Sequence, residues 1–153
     1  MSNVRRQECV LFRVEQHPKT EQHAEILRWL EDEDRKSGEG FYCNRNVITR
    51  CFNESRLHCL TEEQQVVAFA VFKKYGVGSE IGILEVHPAS RGRGLGTILA
   101  THLFGHLRGL GATSVEVECA PESSEIFWRA MGFKNMPNAE RHSAISLHRS
   151  LLT

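Results

Sequence analysis

The stretch Arg91-Gly92-Arg93-Gly94-Leu95-Gly96 constrains this chain more than any other feature. Three glycines in six residues permit a turn whose dihedrals most side chains refuse. The turn follows a strand-like run at residues 81–86. It precedes a helical pattern at residues 97–110, where Leu95, Leu99, Leu103 and Leu107 recur on one face and Gly111 stands at the C-terminal cap. A strand feeding a helix through such a turn presents the unpaired N–H groups of the first helical turn, backed by the positive end of the helix dipole. That arrangement binds anions. Arg91 and Arg93 can add charge-assisted hydrogen bonds of roughly 1.5–3 kcal/mol each. The competing reading is a tight strand-to-helix turn with surface arginines.

Other phosphate motifs fit less well. A G-x-G-x-x-G dinucleotide pattern beginning at Gly92 would need glycine where Thr97 stands, and the Gly-Lys-Ser/Thr ending of a Walker loop is absent.

The remainder reads as one domain over residues 1–153, with no repeat, low-complexity tract or linker. A strand over residues 9–14 is followed by a helix over 21–36 with Thr20 as its cap, and a shorter helix over 46–52. On the first helix Ala24, Leu27 and Leu30 or Trp29 form the apolar stripe, while Glu31-Asp32-Glu33-Asp34 reads as its solvated end; the other reading is an attractor for a cationic acceptor. Three strand-like runs, 56–61, 66–74 and 81–86, are spaced for antiparallel hairpins. After the glycine turn the order becomes helix 97–110, strand 114–119, helix 123–131, and terminal strands at Phe133 and 144–148. The layout is α+β, a meander leading into a βαβ crossover.

The 19 basic and 19 acidic side chains cancel, which argues against nucleic acid as a primary partner and leaves no field to hold an anionic membrane. Five cysteines, odd in number and without a Cys-x-x-Cys pair, argue against a disulfide framework or zinc site and suit a reducing cytoplasm. No run approaches a membrane span, and the N-terminus lacks an apolar leader. A cytoplasmic protein is expected, with a homodimer mildly favoured.

Arg91-x-x-Gly94-x-Gly96, preceded by Leu84-x-Val86-x-Pro88, resembles the pyrophosphate turn of the GNAT superfamily of N-acetyltransferases. Val115-Glu116-Val117 followed by Ser124, Phe127-Trp128 and Gly132-Phe133 resembles that family's next strand and helix. The two motifs span about residues 80–133. The resemblance implies an αβα-layered fold, with a mixed, mostly antiparallel sheet and a βαβ crossover carrying the acetyl-CoA turn. It implies an acetyl-CoA-dependent N-acetyltransferase without a metal, in which an amine attacks the thioester directly. The backbone of Leu84, Glu85 and Val86 would pair with the pantetheine arm. N–H groups from Gly92, Arg93, Gly94, Leu95, Gly96 and Thr97 would hold the phosphates, and Ser124, Phe127 and Trp128 would line the far wall.

The same resemblance implies a glutamate base, Glu80 in preference to Glu85; strand alternation would put the two on opposite faces. Trp128 stands where relatives carry a tyrosine acid, and its indole N–H is no acid at neutral pH. Tyr42, Tyr75 or water would then protonate the thiolate, or it would leave unaided. Pro121 stands where asparagine is frequent. Cys119 reads as a small buried residue rather than an acyl carrier. His102 and His106, one helical turn apart, lack the third ligand of a metal site. His142 and His148 are candidates for the acceptor pocket, which the loop after the first helix, the second helix and the last strands would build. The acceptor is a small-molecule or peptide amine. The alternatives are a silent acyl-CoA-binding module and acetylation of protein or aminoacyl-tRNA amines.

Overall fold

The computed structural model describes residues 11–137 and 145–152. Seven strands form one sheet in the order β1-β2-β3-β4-β5-β7-β6: β1 (Phe12–Glu15), β2 (Leu57–Glu62), β3 (Gln65–Tyr75), β4 (Gly78–Val86), β5 (Ser114–Glu118), β6 (Lys134–Asn135) and β7 (Ser146–Ser150). Among the described residues only β4 and β5 run parallel; every other neighbouring pair is antiparallel. Helices α1 (Thr20–Ser37) and α2 (Arg45–Asn53) cover one face. Helices α3 (Leu95–Gly109) and α4 (Glu125–Ala130) cover the other.

Each face closes its own core. Leu95, Leu99, Leu103 and Leu107 of α3 are all buried against Ala70, Phe72, Ile81 and Val117. Burial of each leucine is worth roughly 1.5–3 kcal/mol. Gly111 takes φ 96° and its N–H donates to the Arg108 carbonyl at 2.9 Å, which ends the helix where the sequence places the cap. On the opposite face Ile26, Trp29, Leu30 and Ile48 pack on Phe69, Val71 and Ile83.

Several local expectations are corrected. Thr20 lies inside α1; the N-cap is Lys19, whose backbone N–H donates to Gln22 Oε1 at 2.8 Å. The buried face of α1 is Ile26, Trp29, Leu30 and Glu33, while Ala24 is exposed. Ile26 and Trp29 offer far more apolar area than Ala24, so the helix is rotated to bury them. Strand β4 starts at Gly78, so Glu80 lies within it. Helix α4 is shorter than expected, a 3-10 turn over Glu122–Ser124 taking its first residues. Phe133 is a core residue and the short edge strand begins at Lys134. Cys9, Val10, His142 and Ala144 lie outside the described residues.

Candidate active site

The site originates in one extra residue. Strand β3 pairs Val71 with Ile83 and Phe72 with Ile81, leaving Gly82 as a bulge in β4. Side-chain parity therefore flips across Gly82: Ile81 packs in the α3 core and Ile83 in the α1 core. The alternation expected to separate Glu80 from Glu85 is broken, and both lie on the α1–α2 face.

The same stretch loses its other neighbour. Strand β5 meets β4 only where Glu80 and Ile81 face Glu116 and Val117. Beyond Ile81 the parallel strands part, so residues 82–86 present a backbone edge to a cleft of about 920 Å³. Leu84 and Val86 lean toward the α3 core, and Glu85 points toward α1. An open strand edge of this kind accepts an extended ligand as an added strand.

At the end of that edge the glycine turn starts α3. Gly92 and Gly94 take φ 80° and 77°, and a Cβ added at either would meet nothing within 4 Å, so dihedral freedom, not space, requires glycine there. Gly96 is the reverse case: a Cβ would lie 3.4 Å from the Phe127 ring and 3.6 Å from Val86, so its bareness lets the helix start pack closely. The first bond of α3 runs from the Ile98 N–H to the Gly94 carbonyl at 3.2 Å. The N–H groups of Leu95, Gly96 and Thr97 are consequently unclaimed by the helix, and those residues line the cleft. On the far wall Ser124 Oγ is buried without a hydrogen-bond partner among the described residues, beside Phe127 and Trp128. This donor-rich cradle, with apolar walls, fits a diphosphate and its extended arm.

Both arginines of the turn are held by carboxylates, Arg91 at the wall of the cleft and Arg93 outside its lining. Arg93 makes a bidentate pair with Glu62 of β2 at 2.6 and 3.0 Å. Arg91 folds back: its Nε donates to the Val86 carbonyl at 3.1 Å, and its Nη2 donates to Glu33 Oε2 at 2.8 Å and to Glu85 Oε1 at 3.2 Å. The unclaimed donors of the turn are the backbone amides of Leu95, Gly96 and Thr97.

Glu33 is the residue that the sequence reading misses. It lies in the acidic run read as solvated, yet its side chain is only 8% exposed. It stands four residues after Trp29 and seven after Ile26, so helical spacing from the buried face could have found it. Glu85, 6% exposed, is pushed up to about 9, first by burial and then by the Glu33 carboxyl, against an opposing pull from Arg91. Trp29 closes this corner, its ring 5.6 Å from Phe69 and 5.0 Å from His87.

The other candidates are placed elsewhere. Glu80 faces Lys73 across the ladder and borders a second pocket with Arg50 and Arg56, which adjoins the cleft at Gly82, although Glu80 itself does not line the cleft. The Tyr75 hydroxyl donates to Glu116 at 3.1 Å, its pKa raised to about 12, first by burial and then by that carboxylate. Tyr42 packs with the α1–α2 core, and neither tyrosine lines the cleft. Trp128 is buried, edge-on to Phe127 and Phe133 at 4.9 and 5.1 Å. Cys119 is buried, and its thiol is pushed up by that burial. His102 and His106 pack against buried His58, and no metal-binding group of three ligands exists among the described residues. His148 lies in β7 opposite Glu116. The loop after α1 does reach the cleft, through Glu39, Gly40, Phe41, Cys43 and Asn44. No helix among the described residues is long and apolar enough to cross a membrane.

A family model described as the acetyltransferase (GNAT) family matches residues 11–133. No curated protein matches the chain. Among solved structures, N-acetylglutamate synthase from Neisseria gonorrhoeae, complexed with coenzyme A and N-acetyl-glutamate, superposes with TM-score 0.73 at 16% identity; the match covers 94% of this chain and 36% of that one. The chain thus spans about a third of the length of that relative. PaiA N-acetyltransferase from Thermoplasma acidophilum, in complex with coenzyme A, gives TM-score 0.75 at 11% identity, covering 92% of this chain and 99% of its own. The ribosomal-protein-S18-alanine N-acetyltransferase from Escherichia coli gives 0.65 at 16%, covering 92% and 94%. These likenesses show a shared fold: a mixed, mostly antiparallel sheet between helices.

Proposed function

The chain belongs to the GNAT acetyltransferase family, and from that membership and the geometry of the cleft we propose that it moves the acetyl group of acetyl-CoA onto an amine nitrogen. The observation that carries this reading is a single cleft uniting three things: the open edge of residues 82–86, the unclaimed N–H groups of Leu95, Gly96 and Thr97, and the buried carboxyl of Glu85. The three solved relatives are an N-acetylglutamate synthase and two N-acetyltransferases, which supports nitrogen as the acceptor atom. One domain carries the whole activity in this reading.

When bound, acetyl-CoA supplies a thioester of ordinary reactivity. The backbone of Leu84, Glu85 and Val86 holds its extended arm as an added strand. The amides from Gly92 through Thr97 bind its diphosphate, reinforced by the α3 dipole. Ser124 offers a hydroxyl, and Phe127 and Trp128 apolar contact, on the far side. These contacts hold the thioester for attack, which converts a bimolecular encounter into an oriented one. Glu85, rather than Glu80, takes a proton from the acceptor ammonium, because Glu85 lines the cleft and Glu80 does not. The nitrogen then bonds to the acetyl carbon and the carbon–sulfur bond breaks. Of the two protons the ammonium loses, Glu85 holds one and the departing sulfur acquires the other.

A second reading, a silent acyl-CoA-binding module, draws on two observations: Trp128 cannot act as an acid, and Glu85 holds its proton tightly. Thiol release from acetyl-CoA over a panel of small amines and peptides separates the two. Turnover with any acceptor establishes the enzyme. Acetyl-CoA-induced thermal stabilisation without turnover across the panel leaves only the binding module.

A further inference from the structure

Two carboxylates and one guanidinium meet at the α1 side of the cleft, and only Glu85 among them is claimed by the proposed chemistry. We propose that Glu33 is a positioning residue: through the Arg91 guanidinium that both carboxylates share, it fixes Glu85 at the cleft wall and keeps a second acidic group beside it. This rests on reading Glu85 as the proton acceptor.

The geometry is restrictive. A single nitrogen, Arg91 Nη2, donates to Glu33 Oε2 at 2.8 Å and to Glu85 Oε1 at 3.2 Å, so its two hydrogens are both used. The third donor of that guanidinium edge, Nε, is spent on the Val86 carbonyl. Arg91 therefore ties α1, the open edge of β4 and the glycine turn together. The remaining oxygens, Glu33 Oε1 and Glu85 Oε2, are buried without a hydrogen-bond partner among the described residues, and both residues line the cleft. Gly40, at φ 92°, lies so close to Glu33 that a Cβ there would collide with Oε1.

The surrounding elements supply little to offset a second negative charge. Helix α1 presents the Trp29 indole N–H, itself unpartnered; β3 presents the Phe69 ring; the segment after β4 presents His87 against Trp29. Arg91 is the cation among these groups, and it is half exposed. An acidic group at Glu33 beside buried Glu85, with one such cationic partner, disfavours ionisation of Glu85. Burial and Glu33 together push Glu85 up to about 9. In its ionised form, a minor species at neutral pH that grows as pH rises toward 9, such a carboxylate takes a proton from an alkylammonium with little thermodynamic climb, whereas an ordinary glutamate would face several pH units. Glu33 thus helps set the pH range in which Glu85 is free to accept a proton from an amine acceptor.

Carbon-13 NMR of protein labelled at the glutamate side-chain carboxyl tests this without knowledge of the acceptor. In the wild type, one carboxyl resonance should titrate near the high value and vanish in Glu85→Gln. In Glu33→Gln it should move down by about 1 pH unit or more, and in Glu33→Asp, which keeps the charge, it should stay close to the wild-type position. An acetyl-CoA thermal shift in each variant establishes that the cleft is intact. A Glu85 carboxyl titrating in the ordinary carboxylate range in the wild type overturns the proposal even if Glu33→Gln does not fold. So does an unmoved resonance in a folded Glu33→Gln, the outcome of a purely structural role. Loss of the acetyl-CoA shift in the wild type would instead sink the acetyltransferase reading and leave the carboxyl titration standing.

Discussion

His58 lies in β2 at 2% exposure, with its Nδ1 3.0 Å from Nε2 of His102 and its ring 4.5 Å from that of His106. Burial first, and then the neighbouring imidazoles of His106 and His102, press its pKa from 6.5 down to about 3. The folded protein therefore keeps His58 neutral, while the unfolded chain protonates it as pH falls below about 6.5. A depressed folded pKa means that stability is whole above 6.5 and is withdrawn as pH falls toward 3. At about pH 5 the unfolded form gains roughly 1.5 pH units of proton binding that the folded form does not, a loss of about 2 kcal/mol relative to neutral pH. Urea denaturation at about pH 7 and pH 5, on the wild type and on His58→Leu, isolates this group from every other titrating residue. The wild type should lose about 2 kcal/mol more than the variant across that interval. Equal pH dependence of the two proteins would refute the argument, since it would mean that His58 is either hydrated or paired when folded.

Gly94→Asp should keep the fold, because aspartate tolerates a left-handed helix cap, yet weaken acetyl-CoA binding more than about tenfold by setting a carboxylate against the diphosphate; calorimetric titration with acetyl-CoA measures it. Deleting Gly82 removes the bulge, returns residues 83–86 to the opposite parity and should abolish the acetyl-CoA thermal shift. Glu85→Gln should make the protein more stable by about 2–3 kcal/mol at neutral pH while depressing acetyl transfer. The sign follows from the raised folded value: the wild type is penalised progressively as pH rises from 4.5 toward 9, and the variant is not. Chemical denaturation of both proteins across that range, with thiol release on an active amine, checks both halves.

Local chemistry wrote the parts of this protein that lie close together in the chain. The dihedrals of Gly92 and Gly94, the leucine stripe of α3 and the Gly111 cap each depend on neighbours within a few residues, so the turn and its helix were legible from composition and spacing. The order of the later strands was legible for the same reason, and the resemblance to GNAT enzymes added the strand edge at Leu84, Glu85 and Val86. The chemistry inside the cleft was not legible. Which face Glu85 occupies depends on whether β4 holds one residue more than its partner, and a bulge is a property of the pairing, not of either strand alone. Arg91 reads as a phosphate ligand until α1, 58 residues earlier, supplies a carboxylate to hold it back. Glu33 reads as a solvated acid until the helix is seen rotated to bury Ile26 and Trp29, carrying it inward. Proton affinity then follows from desolvation and from charges brought together by folding. Sequence determined the glycine turn and the helix start that follows it; only the packing of α1 against the bulged strand determined which carboxylates stand beside them.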